Sequence, residues 1–368
     1  MPNKPVKTDA DWLRDAEDII RKKNAEIVGF RRDLIRVRKD NDTAEAIRRE
    51  IFGIAARPPE PPDWIGSRGG KSGSRGSPMA MLSDIHYGEV VDQEQTGGVN
   101  KYNAAIARKR IERFGNTTID LCFNHMGRAK AEYPGIILPF GGDMIGGDIH
   151  EELMATNERT AHQSVNDLTD ILGALIEKFA SKFGRVFVPG VVGNHGRSTH
   201  KMRMKNRVFT NYDWSIYCNL ERYFKKEKHI RICPSNDADF LFAVFGHRFL
   251  LTHGDSLGVK GGDGIIGALG PIMRGALKMH NSESQIGRDF DTLLIGHWHQ
   301  YITLRGLVCN NSVKGYDEYA RLALRAPYSR PSQALWFLHP EHGITAHWQV
   351  YLEPILKHQI SKEWTAWK

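Results

Sequence analysis

The sequence predicts an α/β fold, a sheet covered by helices, preceded by an N-terminal helical arm. Five short apolar runs each end at Asp, Asn or His, often beside glycine, as expected of strands that present polar groups at a sheet edge. Helical patterns over residues 101–126 and 151–183 separate the first three runs, an alternation typical of α/β domains. A Pro-, Gly- and Ser-rich tract, residues 57–77, divides the arm, residues 1–56, from a domain over residues 78–368.

The arm is predicted to be helical because apolar residues recur at steps of three and four over residues 8–40, with a second helix over residues 43–53. Residues 21–39 hold eight basic side chains against two acidic ones. This charge favours contact with nucleic acid. A helix that forms a homo-oligomer, or packs on the domain with its basic face in solvent, explains the pattern equally well.

The later part of the domain is predicted to hold one more helix and several short strands. Residues 212–226 have a helical pattern, and apolar runs between residues 230 and 252 have β character. Residues 344–352 largely alternate apolar and polar side chains, and together with the apolar run over residues 334–338 they are expected to be antiparallel strands that close a second sheet.

Composition favours a cytoplasmic protein with an anionic partner. The chain of 368 residues carries a formal net charge of +8, which attracts polyanions. Its four cysteines are scattered without a C-x-x-C pair, so a disulfide framework and a zinc ribbon are excluded. The polar first ten residues predict no secretory signal. No apolar run approaches the ~20 residues of a membrane helix, so no membrane partner is expected.

The polar groups at the ends of the five apolar runs are the candidate functional residues. In the last run His297 and His299 are separated by one residue, so in an extended segment both point the same way and are placed to share a metal centre. Together the five ends supply enough oxygen and nitrogen donors for two metal ions, without a thiolate. The ends are Asp84-Ile85-His86, Gly142-Asp143, Gly193-Asn194-His195, His253 and Gly296-His297-Trp298-His299.

These motifs (D-x-H, G-D, G-N-H, a lone His and G-x-H, in this order) resemble the calcineurin-like metallophosphoesterase family over roughly residues 78–353. The resemblance is to its exonuclease-like branch, which includes enzymes carried by bacteriophages. It implies a two-sheet αββα sandwich with two divalent metal ions. Mn²⁺ is the first expectation, and Fe, Zn²⁺ or Ni²⁺ are alternatives.

Carried over by motif, the resemblance also implies a ligand set. The first metal would be bound by Asp84, His86 and His299. The second would be bound by Asn194, His253 and His297. Asp143 would bridge the two, since a shared carboxylate offsets the repulsion between neighbouring cations.

His195 resembles the family's catalytic histidine, which is not a ligand, stabilises the transition state and protonates the leaving oxygen. The family commonly has Asp or Glu directly after it, whereas this chain has Gly196. A carboxylate there would orient the imidazole. Without it, the acid beside His195 would have to be Asp255 or another acid from a different loop.

A basic run follows His195 without an intervening acid and is predicted to hold the phosphates of a substrate. Tyr212 and Trp214, just beyond it, could stack on bases, although aromatic residues that open a helix more often belong to a core. The candidate substrate-binding residues are Arg197, His200, Lys201 and Arg203.

The sequence thus predicts a dinuclear metal-dependent phosphoesterase, an enzyme that uses metal-activated water, with DNA or RNA as the preferred substrate. One alternative is a phosphomonoesterase or a phosphodiesterase acting on small nucleotides. The alternative outside the enzymes is a nucleic-acid-binding protein that keeps an inactive phosphoesterase fold.

Overall fold

The computed structural model describes residues 17–18, 20–24, 26–29, 76–125, 132–257 and 268–355. The chain divides into two compact units, one made of residues 1–57 with 285–287 and the other of the rest. In the first unit all the described residues before position 30 are helical. The other predicted parts of the arm and the tract over residues 57–75 lie outside the described residues.

The first sheet of the domain has six strands, in the order β11-β10-β1-β2-β3-β4. Strands β1 to β4 run parallel, whereas β10 is antiparallel to β1 and β11 is antiparallel to β10. The strands are β1 (Ser77–Ala80), β2 (Ile136–Ile137), β3 (Val186–Gly190), β4 (Ile230–Pro234), β10 (Ser332–His339) and β11 (Gly343–Tyr351).

The second sheet has five strands, in the order β5-β6-β7-β9-β8. Its centre is parallel, since β6 pairs with β7 and β7 pairs with β9 in that sense. The strands are β5 (Asp239–Val244), β6 (His247–Thr252), β7 (Thr292–Ile295), β8 (Ile302–Leu304) and β9 (Leu307–Cys309).

The two strands at the end of the domain are antiparallel, as predicted, but the prediction that they close a second sheet is wrong. They extend the first sheet, where Trp336 of β10 lies opposite Met79 of β1. Seven of the eight residues of β10 are buried, because this strand is covered on both faces. Alternation along a strand shows that its two faces differ, but it does not identify the neighbouring strand.

The helices of the domain are α1 (Ala104–Asp120), α2 (Glu151–Thr156), α3 (Ala161–Phe183), α4 (Tyr212–Tyr223) and α5 (Leu269–Gln285). The single helix predicted over residues 151–183 is two helices. The first ends at Thr156, and Thr160 and Gln163 form a capping box at the N-terminus of the second, α3. In the described part of the chain, no helix is long and apolar enough to cross a membrane.

Three apolar clusters show that the layers are stacked in the order helix, sheet, sheet, helix. One joins the first sheet to α1, α3 and α4, and another joins the second sheet to α5. The third lies between the sheets, where Trp336 contacts Phe249 at 6.5 Å between ring centres. On β7, Leu294 enters the cluster between the sheets while Leu293 and Ile295 enter the α5 cluster, the period of two of a strand. The predicted two-sheet α/β sandwich is confirmed.

Candidate metal centre

The predicted ligands follow strands of both sheets. Asp84, Asp143 and Asn194 come after β1, β2 and β3 of the first sheet, whereas His253 and His297 come after β6 and β7 of the second. The expectation that all the predicted ligands lie at the edge of one sheet is therefore incomplete. The ligands meet where the carboxyl ends of the parallel strands of two packed sheets come together.

Backbone conformation is unusual at this point. Eight residues other than glycine have a positive φ in the described part of the chain, and five belong to the predicted ligand set. A left-handed backbone costs an L-residue roughly 1–2 kcal/mol, and such residues concentrate at functional sites. The five are Asp84 (53°), His86 (52°), Asp143 (52°), His297 (65°) and His299 (49°).

This geometry corrects the prediction that His297 and His299 lie in an extended segment and point the same way. Strand β7 ends at Ile295, and both histidines have a left-handed backbone. The chain therefore turns sharply here. His299 joins Asp84 and His86, whereas His297 joins a second group.

The first group consists of Asp84, His86 and His299. Nε2 of His86 lies 3.1 Å from Nε2 of His299, which is 3.3 Å from Oδ1 of Asp84. Asp84 is completely buried, and its carboxylate accepts hydrogen bonds from the Ser83 hydroxyl and the His297 amide. Burial alone would raise the pKa of Asp84, but His299 lowers it, so this carboxylate is ionised.

The second group consists of Asp143, His253 and His297, with Asn194 beside it. Nε2 of His253 lies 3.0 Å from Oδ2 of Asp143 and 3.1 Å from Oδ1 of Asn194. The same carboxylate oxygen of Asp143 is 3.9 Å from Nε2 of His86 in the first group. Asp143 therefore lies between the two groups, the place implied for a bridging ligand.

The donor atoms fit divalent cations. Within each group the ligand atoms lie within 4.8 Å of one another, and two ligands at right angles with bonds of about 2.1 Å are about 3 Å apart. His253 donates its Nδ1 proton to the Gly141 carbonyl, so Nε2 is the nitrogen that faces the two oxygens. Although burial alone would lower the pKa of His253, Asp143 raises it to about 10. A proton and a cation would thus compete for the same space, which is typical of a metal ligand.

The predicted catalytic residue, His195, lies directly beside both groups. Its backbone amide donates to Oδ1 of Asp143 at 2.7 Å, and its Nδ1 donates to the Gly146 carbonyl at 3.0 Å. The rings of His195 and His86 meet edge to face at 4.6 Å. His86, Asp143 and His195 are also close enough to hold an ion.

Asp255 does not lie beside His195, whereas another acid, from a different loop, does. Asp255 pairs with Arg207 at 2.7 Å. The acid near His195 is Glu89, whose Oε1 lies 3.7 Å from Nδ1 of the imidazole. Glu89 stands three residues after His86, where the sequence does not distinguish it from an ordinary loop glutamate.

Packing explains why position 196 has no side chain. A Cβ atom on Gly196 would lie 2.7 Å from Oδ1 of Asp213 and would also strike the side chain of Asn211. Asp213 is completely buried in the first turn of α4. Its carboxylate accepts the backbone N–H groups of Asp143, Met144 and Gly193 at 2.9 to 3.1 Å. Asp213 therefore ties two ligand loops together, a role that its sequence context did not reveal.

The basic run divides into half-buried and exposed members. Arg197 donates to the carbonyl oxygens of Asn194, Thr199 and His200, so its guanidinium braces the loop that carries the ligand. His200, Lys201 and Arg203 are exposed. Trp214 packs edge to face on Phe209 at 5.3 Å.

The comparisons with known proteins find little. No family model matches the chain, and no curated protein matches it. Several solved structures overlap with it, and the two described below each have 8% sequence identity to it.

One is a dimetal phosphatase from Danio rerio, with a TM-score of 0.33, covering 75% of this chain and 99% of that one. The other is the sulfate thiohydrolase SoxB from Thermus thermophilus, in complex with glycerol, with a TM-score of 0.29. That overlap covers 78% of this chain and 58% of SoxB. Both overlaps are too loose to carry a conclusion about function, so the function must be argued from the site.

Proposed function

We propose that this protein is a dinuclear metal-dependent phosphoesterase that cleaves phosphodiester bonds, with nucleic acid as its preferred substrate. The observation that carries the proposal is the position of Asp143. Its carboxylate lies between two groups of buried ligands, 3.0 Å from Nε2 of His253 and 3.9 Å from Nε2 of His86. Two divalent ions bound there would supply an activated water and positive charge for the phosphoryl oxygens.

The chain's own residues have separable tasks. His253 and His86 direct Nε2 to the centre because Nδ1 of each donates to a fixed acceptor, the Gly141 carbonyl and the Glu89 carboxylate respectively, so each would bind a cation through Nε2. His195 also donates through Nδ1. Its Nε2, when protonated, can donate to a phosphoryl oxygen or to the leaving oxygen.

Nucleic acid is proposed as the substrate because of the charge next to the site. Lys201, Arg203 and Lys205 are exposed and follow the catalytic loop closely in sequence. The whole chain has a net charge of +8. Exposed cations neutralise backbone phosphates without reading the bases, so this surface predicts binding that weakens with salt.

A second candidate function is supported by a small basic recess beside Asn194. Arginine, threonine and amide side chains line it, and such hydrogen-bond donors recognise a compact anionic group. A phosphomonoester or a small nucleotide has such a group. The lining residues are Gly193, Asn194, Arg197, Thr199, Met202, Arg203, Arg207, Thr210 and Asn211.

One assay tests both candidates. A labelled oligonucleotide, as DNA and as RNA, and p-nitrophenyl phosphate are incubated with the protein in Mn²⁺, in other divalent ions and in chelator. Asp143→Ala is compared with Asp148→Ala, because Asp148 is exposed and only five residues away.

Metal-dependent cleavage of the oligonucleotide that Asp143→Ala abolishes and Asp148→Ala keeps is the expected result. Turnover of the small ester alone would assign the second candidate. Tight oligonucleotide binding without turnover of either compound would refute an enzymatic function and leave a binding protein.

A further inference from the structure

A buried carboxylate and a buried lysine lie directly behind the first ligand group. Oε1 of Glu89 accepts the Nδ1 proton of His86 at 2.8 Å, and Oε2 accepts from Nζ of Lys314 at 2.7 Å. Lys314 also contacts Asp317 at 2.7 Å. The side chains of Glu89 and Lys314 are 5% and 6% exposed, so solvent hardly reaches this pair.

All three groups are charged. Burial alone would raise the pKa of Glu89, but Lys314 and His86 hold it well below its usual range. Burial alone would lower the pKa of Lys314, but Asp317 and Glu89 raise it. Ion pairs removed from water are expensive, and apolar residues of similar volume commonly stabilise a fold equally well. Stability is therefore a weak reason for placing these charges here.

The surrounding backbone is shaped to admit Glu89. A Cβ atom on Gly146 would overlap the Glu89 side chain, so this position has room only for glycine. The carbonyl oxygen of the same Gly146 accepts from Nδ1 of His195. Glu89 and Gly146 thus pack against each other. Glu89 contacts His86 directly, and Gly146 contacts His195.

The tautomer of His86 depends on its contact with Glu89. With its proton on Nδ1 toward Glu89, Nε2 of His86 is left as a lone pair that faces His299 and Asp143. Carboxylates that hold a ligating histidine in this way raise its basicity and fix its ring. The first group has such a carboxylate, whereas His253 in the second group is held by a backbone carbonyl.

We infer that Glu89, clamped by Lys314, is a positioning residue that sets the divalent-cation affinity of the group formed by Asp84, His86 and His299. This inference rests on the proposed function, because it requires that the group binds a cation. Asp317 keeps Lys314 charged and in place. The second group, formed by Asp143, His253 and His297, does not depend on this clamp.

The test is a titration of the chelator-treated full chain with Mn²⁺. Calorimetry measures the affinity and number of bound ions, and electron paramagnetic resonance measures the coupling between them. Wild type is expected to bind two ions and to show the signal of a coupled pair. Glu89→Gln is expected to weaken one binding event about 10- to 100-fold, the usual effect of losing such a partner, and to leave the other unchanged. The coupled signal should give way to that of a single ion.

Two further variants separate positioning from folding. Glu353→Gln is the control, since it also removes the partner of a buried cation, Arg110, without touching a site histidine. It should bind both ions as wild type does. Glu89→Asp keeps the charge for Lys314 but shortens the reach to His86, so it should fold and still lose affinity at one site.

The outcomes are distinguishable. If wild type binds two ions, and both Glu89 variants bind two with unchanged affinity, the inference is refuted and the proposed function stands. If Glu353→Gln loses the same ion, the effect is structural and the inference is refuted. If wild type binds no ion, the proposed function and the inference are refuted together.

Discussion

Replacement of Asp213 offers a sharp test of how the ligand loops are held. Oδ2 accepts the backbone N–H groups of Asp143 and Gly193, and Oδ1 accepts that of Met144. Asp213→Ala leaves all three donors without an acceptor. Asp213→Asn can keep its oxygen on the first two and leaves only Met144 unpaired.

The difference between the two variants can be worked out. Burial, together with the charge of Asp143, raises the pKa of Asp213 to about 7, so removing the charge relieves an unfavourable interaction in both variants. Because both replacements are neutral, that relief cancels when they are compared. The alanine variant leaves two more backbone N–H groups unpaired than the asparagine variant does, and each unpaired group costs about 1–3 kcal/mol of stability. The alanine variant should therefore be about 2–6 kcal/mol less stable than the asparagine variant.

Urea unfolding of the metal-free protein measures this difference through the transition midpoints and slopes. The exposed Asp148→Ala should stay within about 0.5 kcal/mol of wild type, as surface substitutions usually do. Equal midpoints for the asparagine and alanine variants would refute the reasoning, because they would mean that Asp213 does not hold the loops through these hydrogen bonds.

Three other variants test the site. His195→Ala should lower turnover about 10²- to 10⁴-fold while bound metal stays at the wild-type level by elemental analysis, and lost metal would instead make it a ligand. Lys201→Ala with Arg203→Ala should weaken oligonucleotide binding and flatten its salt dependence, with hydrolysis of p-nitrophenyl phosphate unchanged; equal effects on both substrates would contradict this. Arg197→Ala should impair both substrates, because this side chain braces the loop of Asn194; an effect on the oligonucleotide alone would show direct contact.

Local sequence patterns predicted the strands that lead to the site and the order of the candidate ligands along the chain. A strand such as β7 is visible because its apolar residues form a short continuous run, and Gly296 marks where it ends. The residue types at such ends, His, Asp and Asn, have metal-binding chemistry wherever they lie. The predicted ligands could therefore be named before their arrangement was known.

Residues that act through tertiary contacts could not be found in this way. Glu89 and Asp213 look like a loop glutamate and a helix-opening aspartate. Their importance comes from burial against Lys314 and against three backbone donors far along the chain. Gly196 departs from the family pattern for a similar reason, since the space beside it is filled by Asp213.

The sequence by itself determined the strands that lead to the candidate ligands, the helices α1 and α4, and which side chains can bind a metal, because periodicity and chemical identity are local properties. Only the tertiary structure decided that the ligands come from two packed sheets, that β10 and β11 extend the first of them, and that the backbone is left-handed at His297 and His299. Those outcomes depend on strand pairing between distant segments and on left-handed turns stabilised by contacts across the sheets, neither of which leaves a local pattern.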